Sequence, residues 1–125
     1  MESKNAKEWK CPVEVILAMV SGKWKIMIFR ELASGKPVRY NQISDNIPHV
    51  SAKVLTQQLR EMEADGLLRR EIFQEIPPRV EYSLTECGLG ILKAMMELRK
   101  WGYGLKDVDM SKCEECGAYR LYYDE

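Results

Sequence analysis

The stretch 51–65, SAKVLTQQLREMEAD, constrains what this chain can fold into more than any other. Read at about 100° per residue, it predicts a helix with two unlike sides. Leu55, Leu59 and Met62 recur at i, i+4 and i+7 on one side, and Lys53, Thr56, Gln57 and Arg60 hold the other. The ends are marked as well. Ser51 is a good N-cap, and Val50 before it can staple onto Leu55. Gly66 is a natural stop, because glycine takes positive φ without strain. Such a helix lays its apolar stripe on a core and turns Lys53, Thr56, Gln57 and Arg60 outward.

No acid interrupts that outward side; Glu61, Glu63 and Asp65 lie late in the helix and off it. Lysine, threonine, glutamine and arginine are the side chains that read a DNA major groove. Glutamine pairs with adenine, arginine or lysine with guanine, and threonine hydrogen-bonds or touches a thymine methyl. Taken alone, the same face equally fits the solvated side of an ordinary amphipathic helix. The next residues, LLRREIFQEIPPRVEYSLT, change that balance. Leu68–Phe73 and Val80–Leu84 read as short strands, the second alternating with Val80, Tyr82 and Leu84 on one face. Between them Pro77-Pro78 blocks ladder pairing and marks a turn. A helix followed by a hairpin suggests a winged helix-turn-helix, with the helix in a groove and the hairpin along a neighbouring phosphate backbone.

The upstream elements fit. Cys11-Pro12 starts a helix, proline suiting the first position because its missing N–H costs nothing there. Val13, Ile16, Leu17 and Val20 form its apolar stripe, and Gly22 ends it. Lys23–Ser34 reads as a second helix with Trp24, Met27, Ile28 and Leu32 as its core face, stopped by Gly35. Residues 36–38 are a connector. Arg39–Asn46 is a third, short helix with Tyr40, Ile43 and Ile47 on its core side, broken by Pro48. Short helix, tight turn and polar-faced helix are the helix-turn-helix order. Arg39 and Asn41, near the start of the short helix, are placed to reach phosphate.

Thr85 caps a last helix, Glu86 to about Tyr103. Leu89, Ile91, Leu92, Met95, Met96, Leu98 and Trp101 cover more than half its circumference, leaving Lys93, Glu97 and Lys100 as the polar strip. A helix that broadly apolar must bury two sides. One side meets its own domain, and the other most simply meets a second subunit. The expectation is a homodimer with Val13, Ile16, Leu17, Ile91, Met95, Leu98 and Trp101 at the interface; a wide core helix in a monomer is the alternative. The fold class read here is mainly α with a small β-hairpin (α+β), a winged helix-turn-helix dimerising through its N- and C-terminal helices. Residues 1–10 are a lead-in, 11–104 the winged domain, and 105–125 a tail whose Tyr119, Leu121, Tyr122 and Tyr123 are too apolar to stay undocked.

Apolar residues make up 46% of the chain, enough for a real core in one domain of 125 residues. No apolar run approaches the roughly 18 residues of a membrane span, and the first residues lack a signal-peptide pattern, so the expected location is the cytoplasm and no membrane partner is expected. Lysine plus arginine equals aspartate plus glutamate at 19 each, so net charge alone does not argue for DNA. The distribution does: Lys23, Lys25, Lys36, Arg39, Lys53, Arg60, Arg69, Arg70 and Arg79 lie in the proposed reading module. A zero net charge also permits a winged-helix protein-interaction module that does not bind DNA. An enzyme is not expected, since there is one histidine, no nucleophile–base spacing and no glycine-rich phosphate loop.

The cysteines are Cys11, Cys87, Cys113 and Cys116. In a reducing compartment they do not read as a disulfide framework. Cys11 stands at a helix start beside Lys10, surroundings in which a thiol reacts readily, though a packed or capping thiol fits as well. Cys87, beside Gly88, reads as a packed small residue. Cys113-Glu-Glu-Cys116 has the spacing of a zinc knuckle, yet it supplies two ligands where a structural zinc takes four. Two tails meeting across a dimer could supply them; a redox-active pair, or no specific role, stays open. Zinc is the sole cofactor the sequence suggests.

With these pieces in place, the sequence resembles the HxlR family of bacterial winged-helix regulators, from Cys11 to about Trp101. The residues that carry it are CPVEVILAMVSGKWKIMIFREL, YNQISDNIPHVSAKVLTQQLREMEADGLLRRE and PPRVEYSLTECG. The resemblance implies a dimeric transcription regulator, each subunit placing one helix in a major groove of a near-palindromic operator in double-stranded DNA. Carried over, Ser51, Ala52, Lys53, Thr56, Gln57 and Arg60 are the expected DNA contacts, with Arg79 in the wing and Arg39 on phosphate. Some members sense oxidants or electrophiles through a cysteine before the matching proline, which implies a redox switch at Cys11; the resemblance names no inducer. One position departs. After Ile47-Pro48 the family usually has glycine, and here stands His49, which is tolerable if the turn leaves it unstrained.

Overall fold

A computed structural model describes residues 11–103 and 105 of the chain. Its elements are α1 (Pro12–Val20), α2 (Lys23–Glu31), β1 (Val38–Arg39), α3 (Tyr40–Asn46), α4 (Ala52–Ala64), β2 (Leu68–Phe73), β3 (Arg79–Leu84) and α5 (Glu86–Gly102).

Helix α4 forms as its sequence dictates. The Ser51 hydroxyl accepts from the Val54 N–H at 3.1 Å, satisfying one of the donors that a helix start leaves open. At the other end Gly66 takes φ 78°. Its N–H reaches the Glu63 carbonyl at 3.0 Å, and the Leu67 N–H reaches the Met62 carbonyl at 2.9 Å. This Schellman closure occupies two carbonyls that the helix end would otherwise orphan. Leu55, Leu59 and Met62 are fully buried. They meet Ile28 and Phe29 of α2, Leu32 just past its end, Ile43 of α3, Leu84 of β3, and Leu92 and Met96 of α5 in one core. Each such side chain contributes about 1.5–3 kcal/mol by leaving water.

The sheet is antiparallel in the order β1-β3-β2. Leu68 faces Leu84 and Phe73 faces Arg79 across the wing hairpin, while Val38 pairs with Tyr82 and Arg39 with Glu81. The expected hairpin is therefore a three-stranded sheet. Val38, read as connector, and Arg39, read as the first residue of a helix, are both strand. A two-residue strand is too short to show alternation; it exists because β3 offers a free edge.

Three further readings are corrected. The second helix ends at Glu31, not Ser34. Its core face is centred on Ile28 and Phe29, with Trp24 and Met27 only partly buried. In α1, Met19, which the apolar stripe left out, joins Val20 in the core. Cys87 is exposed rather than packed.

Thr85 ties α5 to the end of α4. Its hydroxyl accepts from the Gly88 N–H at 3.1 Å and donates to the Gly66 carbonyl at 2.6 Å. Its N–H reaches the Leu67 carbonyl at 3.0 Å. Gly88 packs directly under that carbonyl, so a Cβ there would overlap the Leu67 oxygen. None of the described helices is long and apolar enough to cross a membrane. Lys10, the tail tyrosines and the Cys113/Cys116 pair lie outside the described residues.

Candidate nucleic-acid interface

The turn that delivers α4 runs through Ile47, buried, and Pro48 and His49, both exposed. His49 has φ 68°. The condition of an unstrained turn is not met: the chain reverses through one left-handed residue, where a Cβ crowds the backbone. Histidine tolerates that region better than most residues do, yet glycine would occupy it freely.

Along α4, Ser51, Ala52, Lys53, Gln57 and Arg60 are exposed, and Thr56 is half-buried. Ala52, Lys53, Thr56, Gln57, Arg60 and Glu61 share one continuous surface. The acid at its margin is not loose. Glu61 Oε2 lies 2.8 Å from Nζ of Lys25, which reaches up from α2. Lys25, expected among the exposed bases of the reading module, is instead buried. Asp65 sits near the same pair. Burial pushes its carboxyl above the ordinary value of 3.8; Lys25 pulls it down and Glu61 pushes it up.

Between α4 and the wing lies a cleft of about 450 Å³, walled by Arg39, Asn41, Arg70, Arg79, Glu75, the prolines 77 and 78, Tyr40, Thr56, Val80 and Tyr82. Arg39 and Asn41 are exposed. Arg39 Nε stands 3.9 Å from Glu81, and Arg70 Nε 3.6 Å from Glu63; both separations exceed a hydrogen bond, so these guanidinium donors remain available. Burial holds the Tyr82 phenol above its ordinary value, with Arg70 opposing.

Arg79, expected on phosphate, makes its contacts within the wing. Its Nη1 is 3.2 Å from Glu75 and its Nε 3.1 Å from Glu81, the latter an ion pair without hydrogen-bond geometry. Its guanidinium also lies 4.1 Å from the Phe73 ring centroid. These contacts hold it against the wing, and a phosphate contact from it would compete with them. Arg70 is the cation that the sequence reading left out of the contact set; its pairing opposite Tyr82, which aims it at the cleft, follows only from the β2–β3 register.

The residues expected at a dimer interface divide. Val13, Ile16, Leu17, Leu98 and Trp101 are exposed, Met95 is half-buried, and Ile91 belongs to the chain's own core. Cys11 is exposed at the N-cap of α1, where its carbonyl accepts from the Glu14 N–H at 3.0 Å.

This arrangement recurs in known proteins. Residues 19–110 match the HxlR-like helix-turn-helix family. The chain is 42% identical over 98 residues to YybR, an HTH-type transcriptional regulator of Bacillus subtilis (strain 168), covering 78% of each chain. Among solved structures, the redox regulator HypR in its oxidized form superposes with TM-score 0.68 at 41% identity, over 78% of this chain and 100% of that one. Diamide-treated YodB from B. subtilis superposes with TM-score 0.65 at 27% identity, over 78% and 97%. With Lys53, Thr56, Gln57 and Arg60 along one helix face beside an arginine-lined wing cleft, the chain belongs to the HxlR-like helix-turn-helix family and is a DNA-binding transcriptional regulator.

Proposed function

We propose that two copies of this chain read a near-palindromic operator, each laying α4 in a major groove. Lys53, Thr56, Gln57 and Arg60 face the base edges there, with Ser51 and Ala52 at the leading end. Arg39, Asn41 and Arg70 hold phosphate where the wing cleft opens. The observation that carries this reading is the outward face of α4, whose one marginal acid, Glu61, is held 2.8 Å from Lys25. Pairing of copies is supported by Val13, Leu17, Leu98 and Trp101, large apolar side chains left exposed on the first and last helices; a two-fold pair would set its half-sites about 34 Å apart.

The signal proposed is oxidation of Cys11. It is an exposed thiol next to the apolar face of α1, and the chain is similar to HypR, named as a redox regulator. Duplex selection from a random pool, followed by fluorescence anisotropy of the reduced protein against excess competitor, tests the whole reading. A selected duplex should bind tightly and lose affinity steeply with salt, because phosphate contacts release counterions. A thiol oxidant should then release DNA from the wild type and not from Cys11→Ser. A pool that never enriches would leave the protein-interaction module standing instead; equal release from both proteins would remove Cys11 as the sensor.

A further inference from the structure

Tyr40 opens α3 and lies half-buried beneath the first turns of α4. Its phenolic oxygen is 3.4 Å from the Ala52 carbonyl and 3.3 Å from the Thr56 hydroxyl. A carbonyl can only accept, so the single phenolic proton goes to Ala52. The second contact must then run the other way, with the Thr56 hydroxyl donating to the Tyr40 oxygen. No other placement of the two protons makes both bonds. Thr56 is left with a lone pair and a methyl group to show to a partner, and no proton. It sits in the middle of the outward face, between Lys53 and Arg60, and also borders the wing cleft.

We infer that Tyr40 is a specificity-determining residue. By holding the Thr56 proton it makes Thr56 an acceptor-and-methyl reader, which admits an adenine or cytosine amino group or a thymine methyl and rejects guanine. The major-groove edge of adenine presents N6–H and that of cytosine N4–H, whereas guanine presents only the acceptors N7 and O6. An acceptor pressed on an acceptor in a desolvated groove leaves both without a proton. Tyr40 acts through Thr56 and need not touch DNA. The inference rests on α4 being the reading helix, as proposed above.

The test uses the full chain. Random duplexes are enriched with the wild type, and the selected half-site is then rebuilt with all four bases at each position. The wild type should disfavour guanine at one position of each half-site by about tenfold. Tyr40→Phe frees the Thr56 hydroxyl to donate, so guanine should rise to within about threefold of the best base at that position and nowhere else. Thr56→Ser should keep the rejection of guanine and lose the preference for thymine. In Thr56→Val the change Tyr40→Phe should alter no base preference further. A uniform loss across all duplexes in Tyr40→Phe would overturn the inference, since Tyr40 would then merely support the helix. An undiminished preference for adenine or cytosine over guanine in Thr56→Val would overturn it as well, since valine has no lone pair to accept from their amino groups. If the wild type enriches no sequence, the DNA-reading proposal itself falls, which separates the two failures.

Discussion

Lys25 Nζ lies 2.8 Å from Glu61 Oε2, joining the inner side of α2 to the second half of α4. Lys25 is the one charged side chain buried among the described residues. The pair therefore does two things. It fixes the reading helix on its support, and it cancels the acid that borders the DNA-facing surface.

Removing the carboxylate should cost more than removing the ammonium. Glu61→Ala leaves the buried Lys25 ammonium without this partner, and is expected to destabilise the fold by about 1–3 kcal/mol, discounted from a fully buried pair because Glu61 is a third exposed. Lys25→Met keeps the packed stem, so its cost should stay below about 1 kcal/mol, but it bares Glu61 and should weaken duplex binding. Urea melts and anisotropy on the two variants read these effects separately.

Asp65 supplies a pH dependence. Its carboxyl lies above 3.8 in the fold, chiefly through burial. A raised carboxyl costs stability once ionised; that cost is absent below the unfolded value and complete above the folded one. Asp65 also closes the C-terminal end of α4, where a negative charge opposes the helix dipole. Asp65→Asn is expected to stabilise the protein at pH 7 by less than about 1 kcal/mol. The gain over wild type should shrink to nothing in melts carried below pH 3.8.

His49, at φ 68°, should respond to backbone freedom rather than to side-chain chemistry. His49→Gly is expected to hold or raise stability by up to about 1 kcal/mol, the relief of the left-handed residue being partly offset by a freer unfolded chain. His49→Val should lose about 1–2 kcal/mol, because a branched Cβ crowds that region. Opposite signs in denaturant melts would confirm the turn; equal effects would contradict it.

Two glycines in one helix should behave oppositely. Gly88→Ala drives a Cβ into the Leu67 carbonyl, part of the backbone that Thr85 clamps, and should cost about 1–3 kcal/mol. Gly90 has open space around its missing Cβ, so Gly90→Ala should gain up to about 1 kcal/mol from helix propensity alone. Thermal melts of the pair isolate the contact from the propensity.

Arg39 and Arg79 should separate phosphate contact from wing bracing. Arg39→Ala is expected to weaken all duplexes alike and to reduce the salt slope by about 1. Arg79→Ala removes the partner of Glu75 and Glu81 and the cation over Phe73. It should lower stability and raise amide exchange through the wing, with any loss of affinity following from wing disorder. A clean salt-slope change in Arg79→Ala with unchanged exchange would return it to the phosphate-contact role.

Much of the reading surface was legible because its signals are local. Ser51 and Gly66 bound α4 by capping chemistry within a turn of each residue. Leu55, Leu59 and Met62 set its inner face by period alone, which placed Lys53, Gln57 and Arg60 outside. The alternation of Val80, Tyr82 and Leu84 set β3 in the same way. The tertiary structure decided what depends on a distant partner. Val38 and Arg39 are strand only because β3 pairs with them. Val13 and Met19 are both apolar on one short helix, and only the position of the core turns Met19 in and Val13 out. Lys25 and Arg79 read as surface bases until Glu61, Glu75 and Glu81 are brought to them, and Tyr40 reads as plain core until its hydroxyl meets Thr56. Caps and periodicity are written in neighbouring residues. The pairing of a charge or a hydroxyl is a matter of a few ångströms between segments far apart in the chain, and only the assembled core sets those distances.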